Sequence, residues 1–146
     1  MAQTHAITKP RKAFMPRYVI LRHETTAGVH FDFMLDMGGA LKTWSLSQEP
    51  RAGFDMEAKL LADHRLSYLE YEGPISGDRG SVARWDRGTY EVECQSESEL
   101  TVRLNGEKLI GRVSLRYSSD ALSCVGKFLY HQSDAAEPIK IPKAQQ

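Results

Sequence analysis

Only two cysteines, Cys94 and Cys124, occur in 146 residues, too few for the disulfide framework that staples small secreted domains. With no secretory signal, both are expected to be reduced and structural. No apolar run approaches the roughly 20 residues needed to cross a bilayer, and the polar, basic N-terminus lacks the apolar centre of a signal peptide. These absences predict a cytoplasmic protein with no membrane contact. Net charge is missing too: 19 Lys and Arg balance 19 Asp and Glu, so the whole molecule has no strong pull on nucleic acid. The distribution is less even, because Lys9, Arg11, Lys12, Arg17 and Arg22 come before the first acid, Glu24. That cluster reads either as a patch able to grip a few phosphates, with binding that falls steeply in salt, or as a solvated arm.

The length suits one domain with a real core, and 41% hydrophobic with 26% charged residues is ordinary for a globular chain. Residues 1–15 lack periodicity and read as a flexible basic arm. From Arg17 the pattern alternates with period two: strands are expected at 17–23, 30–37 and 41–46, with a polar loop at 24–28 and a Gly38-Gly39 turn between them. Residues 56–63 fit either strand or helix, and 66–71 fit a short helical turn. Residues 73–80, rich in Gly, Ser and Asp, read as loop. Strands are expected again at 81–87 and 89–94, then at 100–104, turning through Asn105-Gly106 into 108–116, and finally at 125–132. The tail from Ser133 is expected to be disordered. Many short strands with close-set turns predict a mainly β fold over 16–132: a closed or partly open antiparallel β-barrel with one or two short helices.

Against this background three histidines and an aspartate stand out. In the strand His30-Phe-Asp32-Phe, His30 and Asp32 point to one face, roughly 6.5–7 Å apart along the chain. Hairpin pairing brings His23, at the end of the preceding strand, beside His30. An imidazole and a carboxylate with a second imidazole are raw material for a Mn²⁺, Fe²⁺ or Zn²⁺ site. His64 follows in Asp63-His64-Arg-Leu-Ser-Tyr68. Trp44, Trp85, Met34 and Met37 read as packing residues. His5 and His131 read as surface residues, and Tyr68 alone would most simply be a buried tyrosine with a satisfied hydroxyl.

Together these elements resemble a known family. The runs Tyr18-Val-Ile-Leu-Arg-His23, His30-Phe-Asp32-Phe and Gly39-Ala-Leu-Lys42-Thr-Trp44 are similar, in order, to the 3′-phosphoesterase domain of bacterial DNA ligase D. So are Asp63-His64 with Tyr68, Tyr71-Glu-Gly73, Val82-Ala-Arg-Trp85-Asp-Arg-Gly88 and Leu109-Ile-Gly111-Arg112. The resemblance covers roughly residues 17–131. It implies a compact β-barrel with a Mn²⁺-dependent site that trims DNA 3′ ends, removing terminal ribonucleosides and then the 3′-phosphate. Zn²⁺ or another divalent metal also suits the donor set. By the same resemblance His23, His30 and Asp32 are the metal ligands, His64 and Tyr68 lie beside the scissile phosphate, and Lys42 matches a basic position. The implied partners are DNA or RNA–DNA 3′ ends, with any ligase or polymerase acting in trans.

The chain also departs from the family pattern. Met34 stands where His-x-Asp-x-Arg calls for arginine, and methionine cannot clamp a phosphate as a guanidinium does. The loop between His23 and His30 is one residue longer than usual. Residues 75–82 are shorter than the family's glycine-rich stretch and lack its Glu-Tyr. Arg84 or Arg65 is expected to compensate, Arg84 either from the barrel mouth or else on the solvated face of its strand. Two other readings remain. One is a metal-containing module that binds nucleic-acid ends or a repair partner without turnover. The other is a facial-triad iron oxygenase, which leaves His23 unexplained.

Overall fold

The computed structural model describes residues 15–117 and 125–133. The expectations for the arm before Met15, for the tail after Ser133 and for Cys124 fall outside those residues. Cys94 is free and exposed.

Alternating apolar and polar side chains produce the strands. They are β1 (Arg17–Thr25), β2 (Gly28–Asp36), β3 (Leu41–Leu46), β4 (Asp55–Leu60), the two-residue β5 (Gly73–Pro74), β6 (Ser81–Gln95), β7 (Glu99–Gly106), β8 (Ile110–Tyr117) and β9 (Val125–Gln132). One 3-10 turn, Leu66–Leu69, sits between β4 and β5. The named strand pairings are all antiparallel, in the order β1-β2-β3-β4-β9-β8-β7-β6, and β6 pairs back onto β1. The expected mainly β architecture is therefore a ring of eight antiparallel strands, with β5 added along β6. Closure gives each strand of the ring a hydrogen-bonded neighbour on both sides over at least part of its length, which limits the template for edge-to-edge aggregation.

Every strand of the ring sends side chains into one interior cluster. Tyr18, Ile20, Phe33, Trp44, Met56, Tyr90, Val102, Val113 and Phe128 are all buried there. Phe33 lies at its centre, edge-on to Phe128 at 5.5 Å and 5.9 Å from Trp44. A second, smaller cluster lies on the outer face of β1, β2, β3 and β6, where Val19, Leu21, Met34, Leu41 and Val82 pack under Leu69, Tyr68 and Ile75. The segment 61–80 thus roofs one outside wall of the ring.

Three local expectations change. The strands read at 81–87 and 89–94 are one continuous 15-residue strand. Gly88, which reads as a break, instead stands opposite Gly106, where a Cβ would come within 2.2 Å of the Asn105 carbonyl oxygen, so glycine is there for close strand approach. The Asn105-Gly106 pair does not turn the chain. β7 runs through it, and the turn is closed one step later by Gly106 N–H donating to the Leu109 carbonyl at 2.8 Å. A buried carboxylate explains the shift: Asp86 accepts from the Lys108 amide at 2.7 Å, the Leu109 amide at 3.1 Å and the Tyr18 hydroxyl at 2.6 Å. Finally, the polar loop at 24–28 tightens, because β1 continues to Thr25 and β2 begins at Gly28.

Candidate metal centre and cleft

Strand parity decides which face carries the site. Tyr18 and Ile20 of β1 and Phe31, Phe33 and Leu35 of β2 point into the ring. Residues of the other parity, His23 on β1 and His30 and Asp32 on β2, therefore lie on the outer wall, beside the second apolar cluster and under the 61–80 segment. His23 and His30 are direct cross-strand partners with ring centroids 4.5 Å apart. His23, His30 and Asp32 each offer a donor atom, and these atoms lie within 4.8 Å of one another.

The bonding around these atoms is incomplete in a way that suits a cation. His23 Nε2 meets the Arg79 carbonyl at 2.8 Å, and a carbonyl only accepts, so in the neutral ring the hydrogen sits on Nε2. His23 Nδ1 then presents its lone pair, 3.2 Å from Asp32 Oδ2. Asp32 is 3% exposed, and its Oδ1 is buried with no hydrogen-bond donor although His30 Nε2 stands 3.2 Å away. Contact with that carboxylate pushes the His30 pKa up from the ordinary histidine value, with burial opposing. Two acceptors face each other and a buried carboxylate oxygen has no donor, so the residues fit a divalent metal of the borderline, N/O-ligated kind.

A cleft of about 360 Å³ opens beside His23, lined also by Asp63, His64, Arg65, Tyr68, Ile75, Ser76 and Arg79. His64 is fixed to the start of β3 by reciprocal backbone bonds with Leu41 at 2.8 and 2.9 Å. Its Nδ1 faces the Ala62 carbonyl at 2.9 Å and so carries the hydrogen, which leaves Nε2 as the atom free for exchange. The Tyr68 ring stands edge-on to His64 with centroids 5.6 Å apart, and Tyr71 backs Tyr68 at 5.8 Å.

Of the residues singled out in the sequence, the structure brings His23, His30, Asp32, His64 and Tyr68 to this wall. It does not bring Lys42 there. Lys42 pairs with inward-facing Leu35, and its ammonium lies 5.8 Å from the Trp44 ring, on the other face of β3. Arg84 is not in the mouth of the ring. It pairs with outward-facing Leu21 on the far side of a bulge; its amide donates to Glu72 at 2.6 Å and its guanidinium is 3.8 Å from Glu70. Arg65 does line the cleft. The sequence reading missed Arg79 and Ser76, which belong to a Gly/Asp/Ser segment that reads as linker.

The family model for the DNA ligase D 3′-phosphoesterase domain matches residues 21–116. The chain belongs to that family. It is 36% identical over 118 residues, 71% of this chain, to the multifunctional non-homologous end joining protein LigD of Pseudomonas aeruginosa. It is 28% identical over 122 residues, 73% of this chain, to the protein of the same name from Mycolicibacterium smegmatis. The matched stretch spans only 14% and 16% of those relatives. The family match runs from the end of the apolar stretch of β1 to the end of β8, and so takes in both walls of the cleft. Among the described residues no helix is long and apolar enough to cross a membrane.

Proposed function

We propose that this protein is a metal-dependent phosphoesterase that trims nucleic-acid 3′ ends, acting on a terminal ribonucleotide or 3′-phosphate during DNA end repair. One observation carries the reading: the donor atoms of His23, His30 and Asp32 lie within 4.8 Å of one another, and His23 also lines a cleft that holds His64. Family membership supports it.

His23, His30 and Asp32 would hold Mn²⁺ or Zn²⁺, which when bound offsets charge on the non-bridging phosphate oxygens. The rest is the work of the chain. The Arg79 carbonyl fixes the His23 tautomer, and the buried, rigid ladder of β1 and β2 keeps His23 and His30 abreast. The Ala62 carbonyl orients His64, so that its Nε2, when protonated, donates to the departing oxygen. Tyr68 limits rotation of that ring from the side. The cleft is open and polar at its rim, as suits a strand end more than an enclosed small molecule. DNA or RNA–DNA 3′ ends are the proposed partners, with a ligase or polymerase acting in trans.

The test is release of phosphate from a primer-template with a 3′-phosphate, before and after chelation. Activity lost with chelator and restored by Mn²⁺ is expected. Activity indifferent to chelator would contradict metal dependence. Mn²⁺ binding without any product would favour an end-binding module, the reading that Met34 recommends.

A further inference from the structure

The family pattern expects its phosphate-clamping arginine on β2, and here that position is Met34, 1% exposed and packed with Val19, Leu21, Leu41 and Ile75. A cation cannot act from that place. We infer that Arg79, on the hairpin loop that joins β5 to β6, supplies the cleft's phosphate-binding guanidinium instead. The inference rests on the phosphoesterase reading and names the residue that would select phosphorylated ends.

The loop is built against the metal centre. The Ile75 amide donates to the Gly80 carbonyl at 2.8 Å, closing a hairpin whose tip, residues 76–79, overhangs His23. Gly80 has φ +84°, and a Cβ there would lie 2.1 Å from the Glu24 carbonyl oxygen, so this end of the loop sits directly on β1. Asp78, with φ 59°, is the one non-glycine residue of positive φ among those described. Ile75, at the root of the loop, packs into the same apolar cluster as Met34. The side chain that vacates the clamp position therefore helps to seat its replacement.

Arg79 is held but not neutralised. Its Nε donates to the Ser76 carbonyl at 2.7 Å and its Nη2 to the Ser76 hydroxyl at 3.3 Å. Three of its five N–H groups are left for a ligand. Arg17, Arg22, Arg84, Arg87, Arg103 and Arg112 each pair with a glutamate, whereas Arg79, like Arg65 in the same cleft, has no carboxylate partner among the described residues. Of these two only Arg79 has its guanidinium oriented by side-chain hydrogen bonds. A guanidinium oriented by its own loop, with free donors in a cleft shared with His23 of the donor set and with His64, matches a terminal phosphate dianion.

The test uses the full chain as parent, Arg79→Gln and Arg79→Lys, with Mn²⁺ and oligonucleotides ending in 3′-phosphate or 3′-hydroxyl. Binding is read by fluorescence anisotropy, and turnover by KM and kcat. The parent should prefer the phosphorylated end. Arg79→Gln should lose that preference, raise KM about tenfold or more, and flatten the salt dependence of binding by about one unit of slope. Arg79→Lys should recover part of it. Mn²⁺ affinity should be unchanged, since His23 contacts only the backbone of Arg79. A parent without preference for the phosphorylated end, or an Arg79→Gln variant that keeps it, overturns the proposal. Lack of turnover by the parent would refute the phosphoesterase reading alone, because the binding comparison still decides the role of Arg79.

Discussion

His23 Nδ1 and Asp32 Oδ2 face each other across 3.2 Å, while the other nitrogen of His23 is committed to the Arg79 carbonyl. With His23 neutral, two acceptors are held together beside the buried Asp32 Oδ1, which has no hydrogen-bond donor, and this supports the proposed cation site on the outer wall of β1 and β2. Asp32→Asn should therefore abolish Mn²⁺ binding in a calorimetric titration, with the fold retained by circular dichroism. In the parent, Mn²⁺ at a hundred times its dissociation constant should stabilise by about 2.7 kcal/mol, seen as a rise in Tm of several degrees that Asp32→Asn lacks. An equal rise in the variant would contradict the assignment.

Met34→Arg restores the family's motif on paper, but the structure predicts damage. Met34 is packed against Leu41, Leu69 and Val82 with no acid in the cluster. A guanidinium there is buried in an apolar cluster, and its near acid on the same face, Asp32, is a proposed metal ligand, so the expected cost is about 3 kcal/mol in urea denaturation. A variant as stable as the parent would mean that the 61–80 segment lifts off readily.

Asp86, itself buried, joins the β7–β8 turn to β1 through the Tyr18 hydroxyl and the amides of Lys108 and Leu109. Burial, then the bond to Asp86, pushes the Tyr18 pKa up, so the phenol stays protonated as donor. Asp86→Ala should cost about 2–4 kcal/mol, since it leaves three donors unmet. Tyr18→Phe should cost less. Equal stability of the Asp86 variant and the parent would show that water satisfies the donors.

How much of this was readable beforehand follows from the physics of strands. Alternation marked β1, β2 and β3, and a short hairpin put His23 beside His30 without long-range information. Alternation did not say which face was inside, because Val19, Leu21 and Met34 make the outer wall apolar as well. Lys42, expected at the site by resemblance alone, lies on the inward face, and of the two readings of Arg84 the structure takes the outward one. Gly88 and Asn105-Gly106 carry strong turn signals, yet here they serve close strand approach and the Asp86 network, which are contacts between residues far apart in the chain. Arg79 reaches the site only through the β1–β6 pairing that closes the ring, and no local pattern announces it.

Tyr90 gives the fold an alkaline limit. Burial, with Asp36 adding to it, pushes its phenol up to about 12, while its hydroxyl donates to the Asp36 carbonyl at 2.6 Å. A phenol whose pKa is raised by folding contributes stability that is complete below the ordinary tyrosine value, near pH 10, and lost as the pH rises towards about 12. Urea midpoints should fall through that window by the equivalent of about 1–3 kcal/mol, and should fall less steeply in Tyr90→Phe. Parallel declines in parent and variant would contradict this.

The most direct test of the account follows a 5′-labelled primer-template, ending in a 3′-ribonucleotide or a 3′-phosphate, on a sequencing gel with Mn²⁺. The parent should shorten or dephosphorylate the end, and His30→Ala should do neither. Product formed equally by His30→Ala, or no product from a parent that binds Mn²⁺, would contradict a metal-dependent 3′-end phosphoesterase.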